Sequence, residues 1–294
     1  MSKNTARQKL TQYKSDKLSQ QFQSIHLTDR LRPKKQLGQN FLVDQNVVGN
    51  IITACHLQKE DMVLEIGPGL GAMTPHIAQH VQKVIAIETD SRYYTELKNR
   101  LTQNNIELIN ADFLEFSIPS LPRNLKVIAN LPYNICSVII ARLLEHKEHF
   151  RSLYFTVQLE FGQRMVAAPN SKDYSAFSVL VQYHTTARML FKIKRNSFKP
   201  QPKVDSCFVA LNILAQPTYP AANEHLFFNI VRQAFRQRRK TLVNTLEQII
   251  NKKKLYSILE ELNLGKNVRA EDLSIADFVG MVNLMNYQPS NQCF

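Results

Sequence analysis

The chain has 294 residues, 44% of them apolar, which is enough for a real core in one large domain or two. Its 37 Lys and Arg against 24 Asp and Glu leave a net charge of +13, which argues against a basic partner and favours nucleic acid or another anionic surface. No window approaches the roughly 18 consecutive apolar residues of a spanning helix, and the polar N-terminus lacks the apolar core of a secretory signal. The expectation is a cytoplasmic protein with no membrane contact. Cys55, Cys136, Cys207 and Cys293 are scattered without a CxxC pair. They read as reduced thiols, and no cluster of His, Cys and Asp suggests a metal.

Residues 1–33 are rich in Lys, Arg, Gln and Ser and have little apolar periodicity. They read as a basic, disordered tail that either adds phosphate affinity or only solubilises the chain. In the following stretch, Lys34 to Asp44, Gly38 permits a turn and Asp44 is placed to cap a helix from Gln45 to Cys55. Val47, Val48, Ile51 and Ile52 fall on one face of that helix. On spacing alone, Phe41 and Leu42 fit a hydrophobic staple at its start.

Met62 to Ile66 is a short apolar strand that runs into Gly67-Pro68-Gly69-Leu70-Gly71 and then a helix expected over about Ala72 to His80. Alternating glycines let the backbone pass close to a ligand, with helix amides pointing at it. A second strand, Val84 to Ile87, ends at Glu88, where a carboxylate can accept both hydroxyls of a ribose. A third, Ile106 to Asn110, ends near Asp112, placed to accept from an adenine amino group. Strand, glycine turn, helix and strand-end acids describe a doubly wound α/β sheet binding an adenosine-containing cofactor. The GxGxG spacing, in place of GxGxxG, favours S-adenosylmethionine over a nicotinamide dinucleotide.

A further buried strand, Leu125 to Ala129, leads into Asn130-Leu131-Pro132-Tyr133. A carboxamide, a peptide carbonyl held before proline and a flat ring at a strand's carboxyl edge suit an exocyclic amine on a planar base. A strand-to-loop turn with a packed tyrosine fits the same four residues. Beyond them, Leu153 to Gln158 reads as a strand, Glu160 to Val166 as the start of a helix or a connecting segment, Ser178 to Tyr183 as helical, and Cys207 to Ile213 as a strand. The proline-bearing stretch Phe198 to Ser206 reads as an extended loop. From residue type alone, Phe198 is a core plug. Gln216 to Pro220 is a linker, followed by helical patterns over Glu224–Phe235, Gln237–Asn251, Lys253–Leu262 and Ile275–Tyr287. Arg232, Arg236, Arg238, Arg239 and Lys240 cluster at the first turn of this segment.

Glu65 to Gly71, Asn130 to Tyr133 and Gly38 to Leu42, in their order along the chain, resemble the ribosomal RNA adenine N6-dimethyltransferases. The Arg236 to Leu242 run is more similar to the housekeeping small-subunit branch than to the antibiotic-resistance enzymes that act on 23S rRNA. The resemblance implies an S-adenosylmethionine-dependent Rossmann-like methyltransferase domain over 34–215 and a smaller all-α RNA-binding domain over 216–294. It implies that Asn40, Leu42, Gly67, Glu88, Asp112 and Asn130 contact the cofactor, which replaces the staple reading of Leu42. It further implies that Asn130 and Leu131 act on the target adenine while Tyr133 and Phe198 stack on it, and that Arg232, Arg236, Arg238, Arg239 and Lys240 meet RNA. The substrate implied is 16S rRNA within a 30S subunit or its precursor, dimethylated by a monomer at two adjacent adenosines near the 3′ end. Alternatives are a 23S rRNA methyltransferase and a non-catalytic ribosome-assembly factor. A DNA adenine methyltransferase would usually carry an acid and a second proline where this chain has Asn130 and Leu131.

Overall fold

The computed structural model describes residues 39–286. The basic tail, Gly38, Tyr287 and Cys293 therefore lie outside the described residues. The chain divides into two compact units, one running to Phe116 and including Asn196–Pro202, the other formed by Ser117–Arg195 and the chain from Lys203 onward.

The first unit contains β1 (Phe41–Leu42), α1 (Gln45–Ala54), β2 (Met62–Ile66), α2 (Thr74–Ala78), β3 (Lys83–Glu88), α3 (Ser91–Arg100), β4 (Ile106–Asn110) and, from much later in the chain, β8 (Phe198–Lys199). Asp44 caps α1 as expected, its side chain accepting from the amides of Asn46 and Val47. β2, β3 and β4 are parallel in the order β4-β3-β2, with Leu64 opposite Ile85 and Ile85 opposite Glu107. Val63, Leu64, Val84, Ile85 and Ile87 are all buried, the unalternating pattern of strands covered on both faces. Helix α2 is shorter than the expected 72–80 span. Starting at Thr74 keeps Pro75 in the first turn, where its missing amide is tolerated.

The second unit holds β5 (Leu125–Asn130), α4 (Cys136–Glu145), β6 (Phe150–Gln158), α5 (Leu159–Met165), α6 (Ala176–His184), β7 (Thr185–Ile193), β9 (Ser206–Ile213), α7 (Glu224–Ala234), α8 (Leu242–Leu246), α9 (Lys252–Glu261) and α10 (Ile275–Asn286). β5 and β6 are parallel, and β9 lies antiparallel between β6 and β7. β7 was not anticipated. It alternates exposed Thr186, Arg188, Leu190 and Lys192 with more covered neighbours, and its polar face carries none of the continuous apolar signal of the other strands.

The helix expected over Gln237–Asn251 is a correction. After a 3-10 turn at Phe235–Gln237 the chain bends, and α8 spans only Leu242–Leu246. The Leu242 amide donates to the Val268 carbonyl at 2.8 Å instead of continuing a helical ladder. Helices α7 to α10 build a core around Phe227, Ile230, Leu242, Leu255 and Phe278, to which Tyr174, Val179 and Tyr183 also contribute. Tyr183 stacks on Phe227 with ring centroids 4.6 Å apart, and its hydroxyl accepts from the Ala221 amide.

Candidate active site

In the first unit the site is a corner made by the glycine turn and the end of β3. Gly67, Gly69 and Gly71 adopt φ of +65°, +58° and +74°, conformations that L side chains rarely take. Two of them also face close neighbours: a Cβ on Gly69 would lie 2.8 Å from the Phe41 ring, and one on Gly71 would lie 2.6 Å from Leu97 Cδ2. A Cβ on Gly67 would meet nothing within 4 Å, so open space adjoins the turn there.

Glu88 is 4% exposed. One of its carboxylate oxygens accepts from the Gly69 amide at 2.9 Å and the other from the Asp90 amide at 2.8 Å. Burial raises the Glu88 pKa, and these same amides pull it back. The second strand's acid therefore holds the glycine turn in shape. Its oxygens have further lone pairs, so this role leaves room for a ribose hydroxyl. Glu65, at the core of β2, is fully buried, and neither of its oxygens has a hydrogen-bond partner among the described residues. Burial pushes its carboxyl up to about 8, with nearby Thr74 opposing and Glu88 reinforcing the rise. Asp112 is exposed and accepts from the Leu114 amide at 2.8 Å.

β1 pairs antiparallel with β8, so Leu42 lies opposite Phe198. The strap 196–202 is held further by the Val43 amide donating to the Ser197 carbonyl at 2.9 Å and by the Ser197 hydroxyl donating to Asp44 at 3.2 Å. The Lys199–Pro200 peptide is cis. Leu42 is 4% and Phe198 1% exposed, while Asn40 is partly exposed. Phe198 thus occupies the buried position that its residue type suggested. Phe41 packs on Leu70 and meets Tyr93 edge-on at 5.1 Å, covering the glycine turn. Tyr93 and Arg100, which donates to the Leu70 carbonyl, were missed in the sequence. Their spacing on α3 is that of any amphipathic helix and gives no local signal.

In the second unit Asn130 closes β5 and is partly exposed, and Leu131 is 2% exposed with its amide donated to the Thr156 carbonyl at 3.2 Å. The Tyr133 hydroxyl lies 2.7 Å from Ser206 Oγ, and the Cys136 thiol donates to the Tyr133 carbonyl at 3.4 Å. Burial raises the Tyr133 pKa and the Ser206 hydrogen bond opposes the rise. Ser206 is fully buried and is paired in the ladders to both β6 and β7, so the tyrosine ring is anchored to a strand that has neighbours on both sides. That anchor was also missed, because a serine at a strand start has no distinguishing pattern.

The five basic residues are all exposed, but they are not equivalent. Arg238 donates to the Lys172 carbonyl at 2.6 Å and reaches the Glu271 carboxylate at 3.3 Å. It fastens the turn, whereas Arg236 and Lys240 line a polar groove. Among the described residues there is no group of three or more His, Cys, Asp or Glu placed to hold a metal ion, and no helix is long and apolar enough to cross a membrane. The buried cysteines Cys55, Cys136 and Cys207 are thiols.

Two solved structures share this frame. A dimethyladenosine transferase from Plasmodium falciparum superposes with a TM-score of 0.71 at 29% identity, covering 81% of this chain and 94% of its own. The 23S rRNA methyltransferase ErmE gives 0.68 at 25%, covering 84% and 100%. Parallel strands feeding a left-handed glycine turn, with a buried acid closing it, make this chain a Rossmann-like α/β methyltransferase. The model of the ribosomal RNA adenine dimethylase family matches residues 30–287, and the chain belongs to that family. Curated relatives named ribosomal RNA small subunit methyltransferase A include those of Alkaliphilus oremlandii and Clostridioides difficile. The former is 40% identical over 85% of this chain and 90% of its own length, the latter 37% identical over 88% and 92%.

Proposed function

We propose that this enzyme dimethylates N6 of two adjacent adenosines near the 3′ end of 16S rRNA, within a 30S subunit or its precursor, with S-adenosylmethionine as donor. The observation that carries the reading is Asn130-Leu131-Pro132-Tyr133 at the end of β5, with the Tyr133 ring fixed by Ser206 at 2.7 Å. The first unit suits such a donor on its own terms: the open space beside Gly67 admits close backbone approach, and the Glu88 carboxylate lies at the same turn. Asn40, Leu42, Gly67, Glu88, Asp112 and Asn130 would hold it, and when bound it supplies an electrophilic methyl group.

The chain's own part is to prepare the acceptor. The adenine amine is a poor nucleophile because its lone pair is conjugated with the ring. The Asn130 side-chain oxygen and the Leu131 carbonyl accept its two hydrogens, which localises the lone pair and orients it. Tyr133 and Phe198 stack on the extruded base, each face contributing about 1–3 kcal/mol; for Phe198, buried at 1% exposure, this requires the side chain to be uncovered when RNA binds. Once alkylated, the nitrogen is acidic enough to release its proton to a neighbouring acceptor or water, so no dedicated base is required. Residues 216–294 form the RNA-binding part, with Arg232, Arg236, Arg239 and Lys240 contributing charge and Arg238 holding the turn. The likeness to ErmE favours one second reading, methylation of 23S rRNA. Incubating the enzyme with undermethylated 30S and 50S subunits and labelled S-adenosylmethionine, then locating the label by mass spectrometry of RNA fragments, separates the two. Label at paired 3′-terminal adenines of 16S rRNA is expected; label confined to 23S rRNA overturns the reading.

A further inference from the structure

Thr156, in β6, is fully buried, yet its hydroxyl has no hydrogen-bond partner among the described residues. Buried hydroxyls are almost always bonded, so one left over beside a site calls for a functional partner. The β5–β6 ladder sets Thr156 directly opposite Asn130, and the β6–β9 ladder sets it opposite Phe208. Residues opposite one another project from the same face of a sheet, as do residues two apart along a strand. Asn130, Thr156 and Phe208 therefore share a face with Ser206, the residue that meets the Tyr133 hydroxyl at 2.7 Å. Thr156 also acts through its backbone, its carbonyl accepting from the Leu131 amide at 3.2 Å. From this placement we infer that Thr156 is a positioning residue for methyl transfer: as the adenine enters, its hydroxyl accepts from the Asn130 side-chain N–H and turns the carboxamide oxygen toward the base.

A carboxamide has two ends of nearly the same shape and opposite polarity. With its oxygen toward the adenine amine, Asn130 accepts a hydrogen. Rotated by half a turn, it sets N–H against N–H and repels the substrate. Which end faces the base is settled by what the other end meets. Phe208, the next residue across the sheet, offers no acceptor, whereas a hydroxyl at position 156 does. The β-branch of threonine restricts χ1, so that acceptor is held in place before the base arrives. This role for Thr156 rests on the methylation reading above and adds to it the group that decides the orientation of Asn130.

Thr156→Val keeps the branch and removes the hydroxyl, and Thr156→Ser keeps the hydroxyl. Both are assayed as full chains on undermethylated 30S subunits with labelled S-adenosylmethionine, and their folding is followed by urea denaturation. Thr156→Val is expected to lower kcat about tenfold, the equivalent of one net hydrogen bond. KM for 30S, and cofactor affinity by calorimetry, are expected to stay within about twofold. Thr156→Ser is expected to restore the rate to within about threefold of the parent, the remainder reflecting its freer χ1. In an Asn130→Ala background, Thr156→Val is expected to have no further effect, because the group it orients is gone. The stability of Thr156→Val is expected to equal or exceed that of the parent, since an unpaired buried hydroxyl is removed. A full rate in Thr156→Val, equal losses in the valine and serine variants, a loss confined to KM, or an undiminished loss in the Asn130→Ala background each overturns the role. So does a fall in stability with the rate unchanged, which assigns the hydroxyl to the fold. No label on 16S rRNA from the parent enzyme sinks the methylation reading and this role with it; label from the parent with a full rate in Thr156→Val sinks the role alone.

Discussion

At the ends of β2, β3 and β5, polar groups sit among buried residues and their positions are fixed by the backbone. Both oxygens of Glu88 are engaged by the Gly69 and Asp90 amides, Glu65 is sealed inside β2, and Tyr133 is tied to a buried serine at the start of β9. In the 236–240 turn the charges are exposed, and among the described residues it is the Arg238 side chain that has specific partners. On the proposed function, the strand ends would derive specificity from geometry settled before any ligand arrives, and the turn would derive attraction from exposed charges that adjust to a phosphate backbone. Substitutions at the first should therefore act steeply and through position. Those at the second should act gently and through salt-dependent affinity.

The largest departure is expected at Asn130. Asn130→Ala should lower single-turnover methyl transfer to undermethylated 30S by about 100-fold or more, with cofactor affinity by calorimetry within a few fold. A near-normal rate would mean that the amide does not activate the acceptor. Glu65 comes next, through pH. Its folded pKa of about 8 lies above the ordinary glutamate value of 4.5, so the unfolded chain loses this proton first and the fold is destabilised as pH rises between those values. Stability present below about pH 4.5 is lost progressively until the folded group also ionises. The slope approaches about 1.4 kcal/mol per pH unit at most. Glu65→Gln should flatten that slope in urea denaturation between pH 5 and 8; an unchanged slope would show that Glu65 ionises normally.

Gly71→Ala adds a Cβ at φ +74° against the buried Leu97 side chain and should cost about 2–4 kcal/mol, strain and overpacking together. Gly67→Ala, at φ +65° with open space, should cost only the strain, about 1–2 kcal/mol. Equal losses by denaturation would remove packing from the account. Smallest are the arginines. Arg238→Ala should lower stability by at most about 1 kcal/mol, since its ion pair is half exposed. Arg239→Glu should leave stability unchanged while weakening RNA and flattening its salt slope. If the two behave alike, the turn is uniformly a charge patch and the contrast with the strand ends is weaker than drawn.

The same contrast governs what was legible in the sequence. Gly67, Gly69 and Gly71 announce themselves because positive φ demands glycine at all three, with close neighbours adding to it at Gly69 and Gly71, and Asp44 because a cap needs a short acceptor just before an apolar stripe. Strands β2, β3 and β5 follow from buried runs. What the sequence could not give was decided by partners distant along the chain. Arg238 looks like its basic neighbours until Lys172 and Glu271 are beside it, and Ser206 is an ordinary strand serine until Tyr133 reaches it. α8 is cut short by an acceptor at Val268, and β7, half exposed, hides its period among polar residues. Phe198 shows the limit from the other side: residue type alone gave its burial, and no local pattern gave its pairing with Leu42.

The strap 196–202 has a consequence for biosynthesis. A nascent chain halted before residue 196 already contains the three turn glycines, Glu88 and all of β2, β3 and β4. Yet β1 has no partner strand to zip against, and Asp44 still waits for the Ser197 hydroxyl. Completion of the first unit is thus deferred until the whole first segment of the second, Ser117–Arg195, has been synthesised, a long-range closure of the sort that slows folding. A ribosome-bound intermediate would be left with an unfinished cofactor corner until late in translation.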